Sequence, residues 1–393
     1  MLLALPPAGA QVGGTSAPRR EVAGQLPPIV TKVAGAVIGA FGKPVHPVIG
    51  GVAPGSGFGA GIGVGSPSNK PWRLEAKAVG TQRRYWALSA GAGYGTSRTR
   101  VDVYGRRRDM PQLAFYGLGN DSRAEDRTSF GMRETVAGAL AMARLAPWVT
   151  IGLRAEENRT KLGAGRPGEF PSIDARYAAA DVPGITGRGK YARYEASVDV
   201  RVPAALGKAF YQGARYRVAY AYFDDQLADE FSFTRVDVEA QQRFTMPIPQ
   251  HVLTLHAWAS SSIADRGQAV PFYLQRTLGG KSFVRSVHDN IIGSDGSRGT
   301  LRGYSELRFR DLSTLLLQAE YRIPVWGLLD ATVYADAGKV ARSRSDLDLT
   351  GLKHNFGLSV SAMKGDVTAA RVDLAFGGEG TRLFFTIGFG ATQ

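Results

Sequence analysis

The sequence predicts an all-β protein, a transmembrane antiparallel β-barrel of about 16 strands. Three observations predict this fold. Polar and apolar residues alternate along most of the 393-residue chain, as they do in strands with two unlike faces. The alternating segments run for about 10 to 14 residues, the length that a tilted strand needs to cross a bilayer. No apolar stretch approaches the roughly 18 to 20 residues of a transmembrane helix.

The alternation is clearest in two segments of the central chain. Between Tyr191 and Val202, and again between Phe233 and Phe244, charged or polar side chains fall on one face and apolar side chains on the other. A soluble antiparallel sandwich also has one polar face, but its strands usually have about 5 or 6 residues. The longer segments, with charges of both signs along one face, favour a polar lumen wall with lipid outside.

Turn residues divide the chain into sixteen predicted strands, an even number as single-chain bacterial barrels require. Short turns alternate with longer connections, of which 158–187 and 279–311 are the longest. Aromatic residues recur near the strand ends, which is typical of the interface girdles of a membrane barrel. The predicted strands are 56–65, 72–81, 84–95, 98–117, 128–142, 147–157, 188–202, 209–224, 231–245, 250–263, 269–278, 313–325, 328–338, 353–363, 366–377 and 381–390.

The charge balance does not indicate a nucleic-acid partner. The 48 Lys and Arg residues against 34 Asp and Glu residues give a net charge of +14, which suggests an anionic partner such as nucleic acid or a lipid surface. The charges alternate singly with apolar residues, however, so they predict one wall of a sheet and not a basic patch. We therefore expect no binding of nucleic acid.

The sequence shows no motif for catalysis or for binding of a metal or cofactor. The five histidines lack metal-ligand spacing, the chain has no cysteine, and no G-x-S-x-G motif occurs. Gly55–Gly65 is rich in glycine, but its glycines alternate with larger residues and no helix with an acidic residue follows. This pattern predicts a strand with one bare face and not a nucleotide-binding loop. We expect no enzymatic activity, no cofactor and no metal.

The first and last predicted strands define a candidate seam of the barrel. A glycine-rich strand pairs weakly, because it loses more conformational entropy and packs less. Since the first strand is rich in glycine, we expect the barrel to open there most readily. The last strand alternates large apolar residues, which is typical of a C-terminal assembly signal. The seam residues are Gly57, Gly59, Gly61, Gly63, Leu383, Phe385, Ile387 and Phe389.

Residues 1–50 are predicted to precede the barrel, which then spans 51–393. The leucine-rich start leads to Ala8-Gly9-Ala10, which is typical of a signal-peptide cleavage site, but the basic region of a signal peptide is missing. Either the true start lies further upstream and the signal is truncated, or this segment is an apolar tail. The prolines between residues 27 and 47 indicate an ordered tail or a short plug.

Four motifs occur in order along the chain. The first is Tyr116-Gly-Leu-Gly-Asn-Asp121, and the second is the tetrapeptide Leu301-Arg-Gly-Tyr304. They are followed by a Glu-x-Arg-x-Pro element that ends at Pro324 and by an aromatic-x-Asp-x-Gly element that ends at Gly338. From residue 50 onward, the chain resembles the bacterial surface antigen family, the BamA-like barrels of outer-membrane assembly factors and two-partner secretion transporters.

The resemblance implies that a long loop folds into the lumen and is latched there. The loop motif would be Leu301, Arg302, Gly303 and Tyr304, and its partners on the wall would be Glu320, Arg322, Tyr334, Asp336 and Gly338. By alternation, Glu320, Arg322, Tyr334 and Asp336 face the lumen. A planar guanidinium can grip a carboxylate through two hydrogen bonds, and a glycine lets the loop backbone approach the wall. We expect this contact to hold the loop and not to catalyse a reaction.

The resemblance also implies a function at the bacterial outer membrane. The barrel would help polypeptides, or lipids, to enter or cross that membrane through transient opening of the seam, with outer-membrane lipids, lipopolysaccharide and client polypeptides as partners. Many family members carry periplasmic domains before the barrel, and we expect these to be absent. Two alternatives remain open: a passive, anion-preferring pore or surface antigen, and an accessory barrel that needs a separate periplasmic partner.

Overall fold

The computed structural model describes residues 44–66, 70–166, 168–185, 187–202, 211–280, 299–364 and 367–387. These residues form long β-strands joined by turns and loops, with four 3₁₀ turns of three residues each. No helix in this part of the chain is long and apolar enough to cross a membrane. The predicted all-β fold is confirmed.

Eighteen strands follow one another along the described chain. They are β1 (Val45–Ile49), β2 (Gly59–Gly65), β3 (Trp72–Thr81), β4 (Trp86–Gly95), β5 (Thr99–Phe115), β6 (Thr128–Ala146), β7 (Val149–Ala164), β8 (Arg188–Val202), β9 (Tyr211–Asp225), β10 (Phe233–Thr245), β11 (Val252–Ala264), β12 (Arg276–Leu278), β13 (Phe309–Asp311), β14 (Ser313–Trp326), β15 (Leu329–Ala341), β16 (Lys353–Lys364), β17 (Val367–Gly377) and β18 (Gly380–Ile387).

Sixteen of these strands form one antiparallel sheet in which each strand pairs with the next. The order runs without a crossover from β1 to β11, continues directly to β14 and ends at β18. The short strands β12 and β13 pair only with each other, between β11 and β14 in the chain. This meander topology agrees with the predicted sixteen-stranded barrel, and the two strands at its ends are β1 and β18.

The sheet has an apolar outer face and a polar inner face. On the outer face, Leu153, Phe356 and Phe385 expose 60%, 62% and 59% of their surface, respectively. On the inner face, the guanidinium of Arg217 lies 3.2 Å from Glu195 and 4.0 Å from Asp199, and all three side chains are buried. A sheet that directs apolar side chains outward and paired charges inward is suited to lipid outside and a polar lumen inside.

The connections between strands differ at the two ends of the sheet. At one end, which we call the turn end, neighbouring strands are joined by two to eight residues, as at 96–98 and 147–148. At the other end, which we call the loop end, the connections include 116–127, 165–187 and the long segment 265–312 that contains β12 and β13. Outer-membrane barrels have short periplasmic turns and longer extracellular loops, and the two ends of this sheet show the same asymmetry.

The count of sixteen strands is right, but two of its members differ from the prediction. Residues 269–278 are not a barrel strand: they contain a 3₁₀ turn at Phe272–Leu274 and the short β12, and their large side chains are buried all round. A barrel strand was missed at β1, within the predicted N-terminal tail. Pro47 in β1 is tolerated because β1 is an edge strand, where a missing N–H breaks no ladder on the open side.

The glycine-rich strand is therefore not the edge of the sheet, and this part of the seam prediction is wrong. β2 pairs with β1 on one side and with β3 on the other. The glycines of β2 are instead explained by the close packing of this strand against β3. A Cβ at Gly61 would lie 1.9 Å from the carbonyl oxygen of Ala78 and 2.8 Å from the Cα of Val79, so only glycine fits against β3 there.

We expect Gly61→Ala to destabilise the barrel by about 1–3 kcal/mol, because the added methyl group forces β2 away from β3. Gly80→Ala on β3 is the matched control, since a Cβ at Gly80 would meet no atom within 4 Å. The measurement is the urea concentration at which each variant, folded in detergent micelles, loses half of its β-structure. Equal midpoints for the two variants would contradict the close approach of β2 and β3.

Candidate functional site in the barrel lumen

The connection between β11 and β14 folds back against the inner face of the sheet. Within it, β12 and β13 form a short ladder, and Leu301, which lies between these two strands in the chain, has none of its surface exposed. Leu301 packs in an apolar cluster with Leu278 and Phe309 of the loop and with side chains of the barrel wall. The wall members of this cluster are Trp258, Leu316 and Val340. The loop motif is thus carried by packed elements on the lumen side.

Arg302 and Asp336 form the central contact of the loop with the wall. The Nε and Nη2 atoms of Arg302 donate to the two carboxylate oxygens of Asp336 at 2.8 and 2.5 Å, and the backbone N–H of Arg302 donates to the same carboxylate at 3.2 Å. Gln318 and Asn355 add hydrogen bonds of 3.0 and 2.9 Å from their side-chain amides. Five donors therefore converge on one carboxylate that has no exposed surface.

Glu320 provides the second carboxylate around Arg302. It accepts a hydrogen bond from Nη1 of Arg302, so the guanidinium bridges β14 and β15. Arg371 of β17 approaches the same carboxylate at 3.3 Å and donates to Asp373 at 2.7 Å. We call Arg302, Glu320, Asp336 and Arg371 the lumen latch. Its charges alternate in sign from Arg371 through Glu320 and Arg302 to Asp336, so each charge has a neighbour of opposite sign.

The aromatic ring of Tyr334 completes the surroundings of Arg302. The guanidinium carbon lies 3.5 Å from the ring centre, a cation–π geometry, and the Tyr334 side chain is buried. Burial alone would lower the pKa of Arg302, but the carboxylates of Glu320 and Asp336 outweigh burial and raise it above its usual value. Arg302 therefore stays charged. Both carboxylates are occupied by guanidinium groups, so the arrangement is suited to holding the loop and not to proton transfer.

Gly303 and Tyr304 bring the loop backbone against the wall. A Cβ at Gly303 would lie 2.5 Å from the Cβ of Asn355 and 2.8 Å from the Cα of Gly377, so a larger residue would push the loop off β16 and β17. The hydroxyl of Tyr304 donates to the carbonyl of His354 at 3.4 Å. These contacts explain why the residue after Arg302 is glycine and why an aromatic residue follows it.

Two of the predicted wall residues contact other groups than Arg302. Arg322 faces the lumen but lies near the turn end, where its Nε atom is 3.8 Å from Asp330. Gly338 provides space and not a polar contact, since a Cβ there would lie 2.7 Å from the carbonyl oxygen of Leu315 and 3.0 Å from Leu278. The structure thus brings Glu320, Tyr334 and Asp336 to Arg302 and leaves Arg322 outside the latch.

The segment 305–308, directly after the loop motif, contacts both ends of the sheet. Glu306 accepts a hydrogen bond from the backbone N–H of Gly55, in the connection between β1 and β2. Ser305 accepts one at 2.6 Å from Arg382 of β18. Arg308 pairs with Glu379 in the turn before β18. We call these three contacts the seam clasp. They show that the sheet curves until β1 and β18 flank the same loop segment.

The predicted seam residues occupy several different environments. Gly57 lies before β2, in the left-handed region with φ of 71°. Gly59, Gly61 and Gly63 point into the lumen, where His46 of β1 covers Gly63. Leu383 and Phe385 point outward from β18. Ile387 belongs to the backbone of β18, and Phe389 lies outside the described residues.

Sequence reasoning missed Arg371 as a member of the latch and all residues of the seam clasp. The sequence carried a usable signal for Arg371, because alternation places it on the lumen face of β17, two strands beyond the β14–β15 hairpin that carries Glu320 and Asp336. The sequence carried no such signal for the clasp residues, because they come into contact only through the curvature of the sheet. Among the described residues, no group of three or more His, Asp or Glu side chains is arranged to hold a metal ion.

The sixteen-stranded meander, the apolar outer face and the latched loop indicate a BamA-like β-barrel fold, and comparison with solved structures agrees with this fold. The chain is similar to "BamA from Haemophilus ducreyi lacking POTRA domains 1-3", with a TM-score of 0.56 and 12% identity over 87% of this chain and 68% of that one. It also matches "CdiB from Acinetobacter baumannii", with a TM-score of 0.48 and 10% identity over 88% of this chain and 57% of that one. No protein-family model and no curated protein sequence matches the chain.

We expect Arg302→Ala to destabilise the barrel by about 3–5 kcal/mol, because it leaves Asp336 buried and unpaired. Arg302→Lys should restore only part of this loss, since an ammonium group cannot form the two parallel hydrogen bonds. The urea midpoint and the rate of protease cleavage within the loop measure the effect.

The matched control is Arg322→Ala, which removes an arginine from the same wall outside the latch. Its contact with the buried Asp330 is 3.8 Å long and the Arg322 side chain itself is about one-third exposed, so the loss of stability should be clearly smaller than for Arg302→Ala. Equal destabilisation by Arg302→Ala and Arg322→Ala would show that the latch does not hold the loop.

Proposed function

We propose that the protein is an integral outer-membrane barrel that helps other polypeptides, or lipids, to enter or cross the outer membrane by opening between β1 and β18. The observation that carries this proposal is the seam. Among the described residues, no ladder joins β1 to β18, whereas the seam clasp contacts the elements on both sides. The seam is held from inside the lumen by side chains and not by strand pairing.

An unpaired strand edge can bind an extended segment of another chain. It presents a row of N–H and C=O groups, which in lipid must find partners because no water is available there. An extended segment of another chain satisfies these groups by adding a strand to the sheet. The edge at β18 has eight residues and the edge at β1 has five, so an entering strand finds a longer template on β18.

The two edges are unequal in pairing strength. β1 is short, and Pro47 in its centre has no N–H to donate. A ladder between β1 and β18 would therefore gain few hydrogen bonds, and a client strand that pairs with β18 would compete with a weak partner. This inequality favours β18 as the edge that receives a client.

The latch and the clasp hold different parts of the loop against the sheet. The latch has the buried Arg302–Asp336 pair at its centre and bridges three strands, so it would keep the loop in place while the seam changes. The clasp consists of one backbone contact at Gly55, one hydroxyl contact at Ser305 and one ion pair of Arg308. Loss of the contact at Gly55 would release the β1 side from the loop segment without displacing Arg302, while Arg308 still holds the turn before β18.

The activity so proposed is mechanical and not enzymatic, and it needs no cofactor. The lumen is occupied by the packed loop, which speaks against a permanently open, anion-preferring pore. A separate periplasmic partner that delivers clients is compatible with this role, and co-purification with the barrel is the direct assay for one.

We expect a covalent lock across the seam to abolish the activity. Ile49→Cys is combined in turn with Thr381→Cys, Leu383→Cys or Phe385→Cys, since all four positions point outward on the edge strands. The chain has no native cysteine, so the introduced pair is the only route to a crosslink. The readout is growth and the level of other outer-membrane proteins in a strain that depends on the variant.

The control lock joins Phe356→Cys and Phe376→Cys, which are directly opposite on the paired strands β16 and β17. This crosslink should leave growth unchanged, and a reductant should restore growth to the seam-locked variant. If the seam crosslink forms and growth persists, opening between β1 and β18 is not required, and the passive-pore alternative takes its place.

A further inference from the structure

The outer face of β5–β8 carries a group of cations near the loop end. Alternation along each strand places these side chains outward, and the ladders place them at similar heights. They surround two outward carboxylates, Asp109 and Glu157, and six cations against two carboxylates leave a net charge of +4. The cations, which we call the outer cation patch, are Arg107, Arg133, Arg159, Lys161, Arg188 and Lys190.

The ladder register places like charges side by side within this patch. Lys161 of β7 lies opposite Arg133 of β6 and opposite Arg188 of β8, so three cations stand abreast on three neighbouring strands. In the next outward row, Arg159 lies opposite Lys190. Neighbouring strands are about 4.8 Å apart, and like charges directly opposite each other destabilise a sheet. The arrangement therefore costs folding free energy unless anions cover it.

Acidic side chains of the protein form ion pairs with only some cations of the patch. Arg133 pairs with Asp109 at 2.9 Å, and Glu157 lies 2.5 Å from Arg159 and 3.5 Å from Lys190. Neither Lys161 nor Arg188 has an ion-pair partner among the described residues, and both are exposed. The centre of the three-cation row is thus open to an anion from outside.

The patch lies at the upper boundary of the apolar outer face. Toward the turn end of the same strands, the outward residues become apolar, and Val103 and Tyr194 expose 52% and 54% of their surface. By contrast, the outward faces of β10, β11 and β14 carry no Lys or Arg among the described residues. The group of six cations thus lies on β5–β8, at the level where lipid chains would give way to headgroups.

We propose that the outer cation patch binds the phosphate groups of a phosphorylated glycolipid of the outer leaflet, that is, lipopolysaccharide. Phosphate oxygens accept charge-assisted hydrogen bonds from Arg and Lys, and the acyl chains would lie along the apolar residues below. Bound phosphates relieve the like-charge rows that the ladders impose. This site rests on the proposed position of the barrel in the outer membrane and gives it a specific lipid contact.

The test uses the purified full-length protein in detergent, with lipopolysaccharide, dephosphorylated lipopolysaccharide or inorganic phosphate added. We expect lipopolysaccharide to raise the unfolding temperature and the other two additives to leave it unchanged. The double variant K161Q/R188Q should bind lipopolysaccharide at least about tenfold more weakly, because two charge-assisted contacts are lost. Without lipid, it should be at least as stable as the wild type, because like-charge repulsion is removed.

The matched control is R266Q/R344Q, which removes two exposed charges from loop-end connections away from the patch and should keep wild-type affinity. Wild-type affinity in K161Q/R188Q would overturn the site. An equal shift with dephosphorylated lipid would assign binding to the apolar face, and an equal shift with inorganic phosphate would reduce it to simple anion binding; either outcome also overturns the proposal. Because this readout needs no seam opening, its failure and the failure of the crosslinking test are distinguishable.

Discussion

The interior of this barrel depends on the contact between Arg302 and Asp336. A buried ion pair is a weak source of net stability, because desolvation of the two charges offsets most of their attraction. Its stronger effect is positional, since a guanidinium with two parallel hydrogen bonds has one orientation relative to its carboxylate. The pair therefore determines where the loop lies. With Arg302 in place, Gly303 meets β16 and β17, and the segment 305–308 reaches the two edges of the sheet.

The second constraint is the requirement that strand edges in lipid find partners. The wall meets this requirement through long ladders, of which the uninterrupted ladder of β10 with β11 is an example. Among the described residues, the junction of β1 and β18 is the exception, and the weakness that we propose there comes from the short β1 with its proline and not from the glycines of β2. Those glycines allow close packing against β3 and leave lumen space for His46. Composition that suggests a weak strand can thus reflect tight packing.

Much of the wall could be predicted from alternation, because the outer and inner faces impose opposite polarity on successive residues. The prediction was wrong where this rule does not apply. The segment 269–278 is surrounded by protein in the lumen, so its apolar residues carry no information about a lipid face. β1 was missed because Pro47 and the prolines before it are typical of an N-terminal tail. Arg302 and its carboxylates were predicted through a motif resemblance, whereas Arg308 and Arg382 meet their partners only after the sheet curves, and no local pattern records that curvature.

The reach of the segment 305–308 to both ends of the sheet has a geometric consequence. Glu306 binds Gly55 and the adjacent Ser305 binds Arg382, so this segment helps to set the spacing of the two sheet ends and with it the circumference of the barrel near the loop end. Insertion or deletion of a residue in this segment would change the perimeter that the sixteen strands enclose, although it alters none of them. Loop exchanges between proteins of this fold would therefore succeed only when the number of residues from Arg302 to Glu306 is preserved.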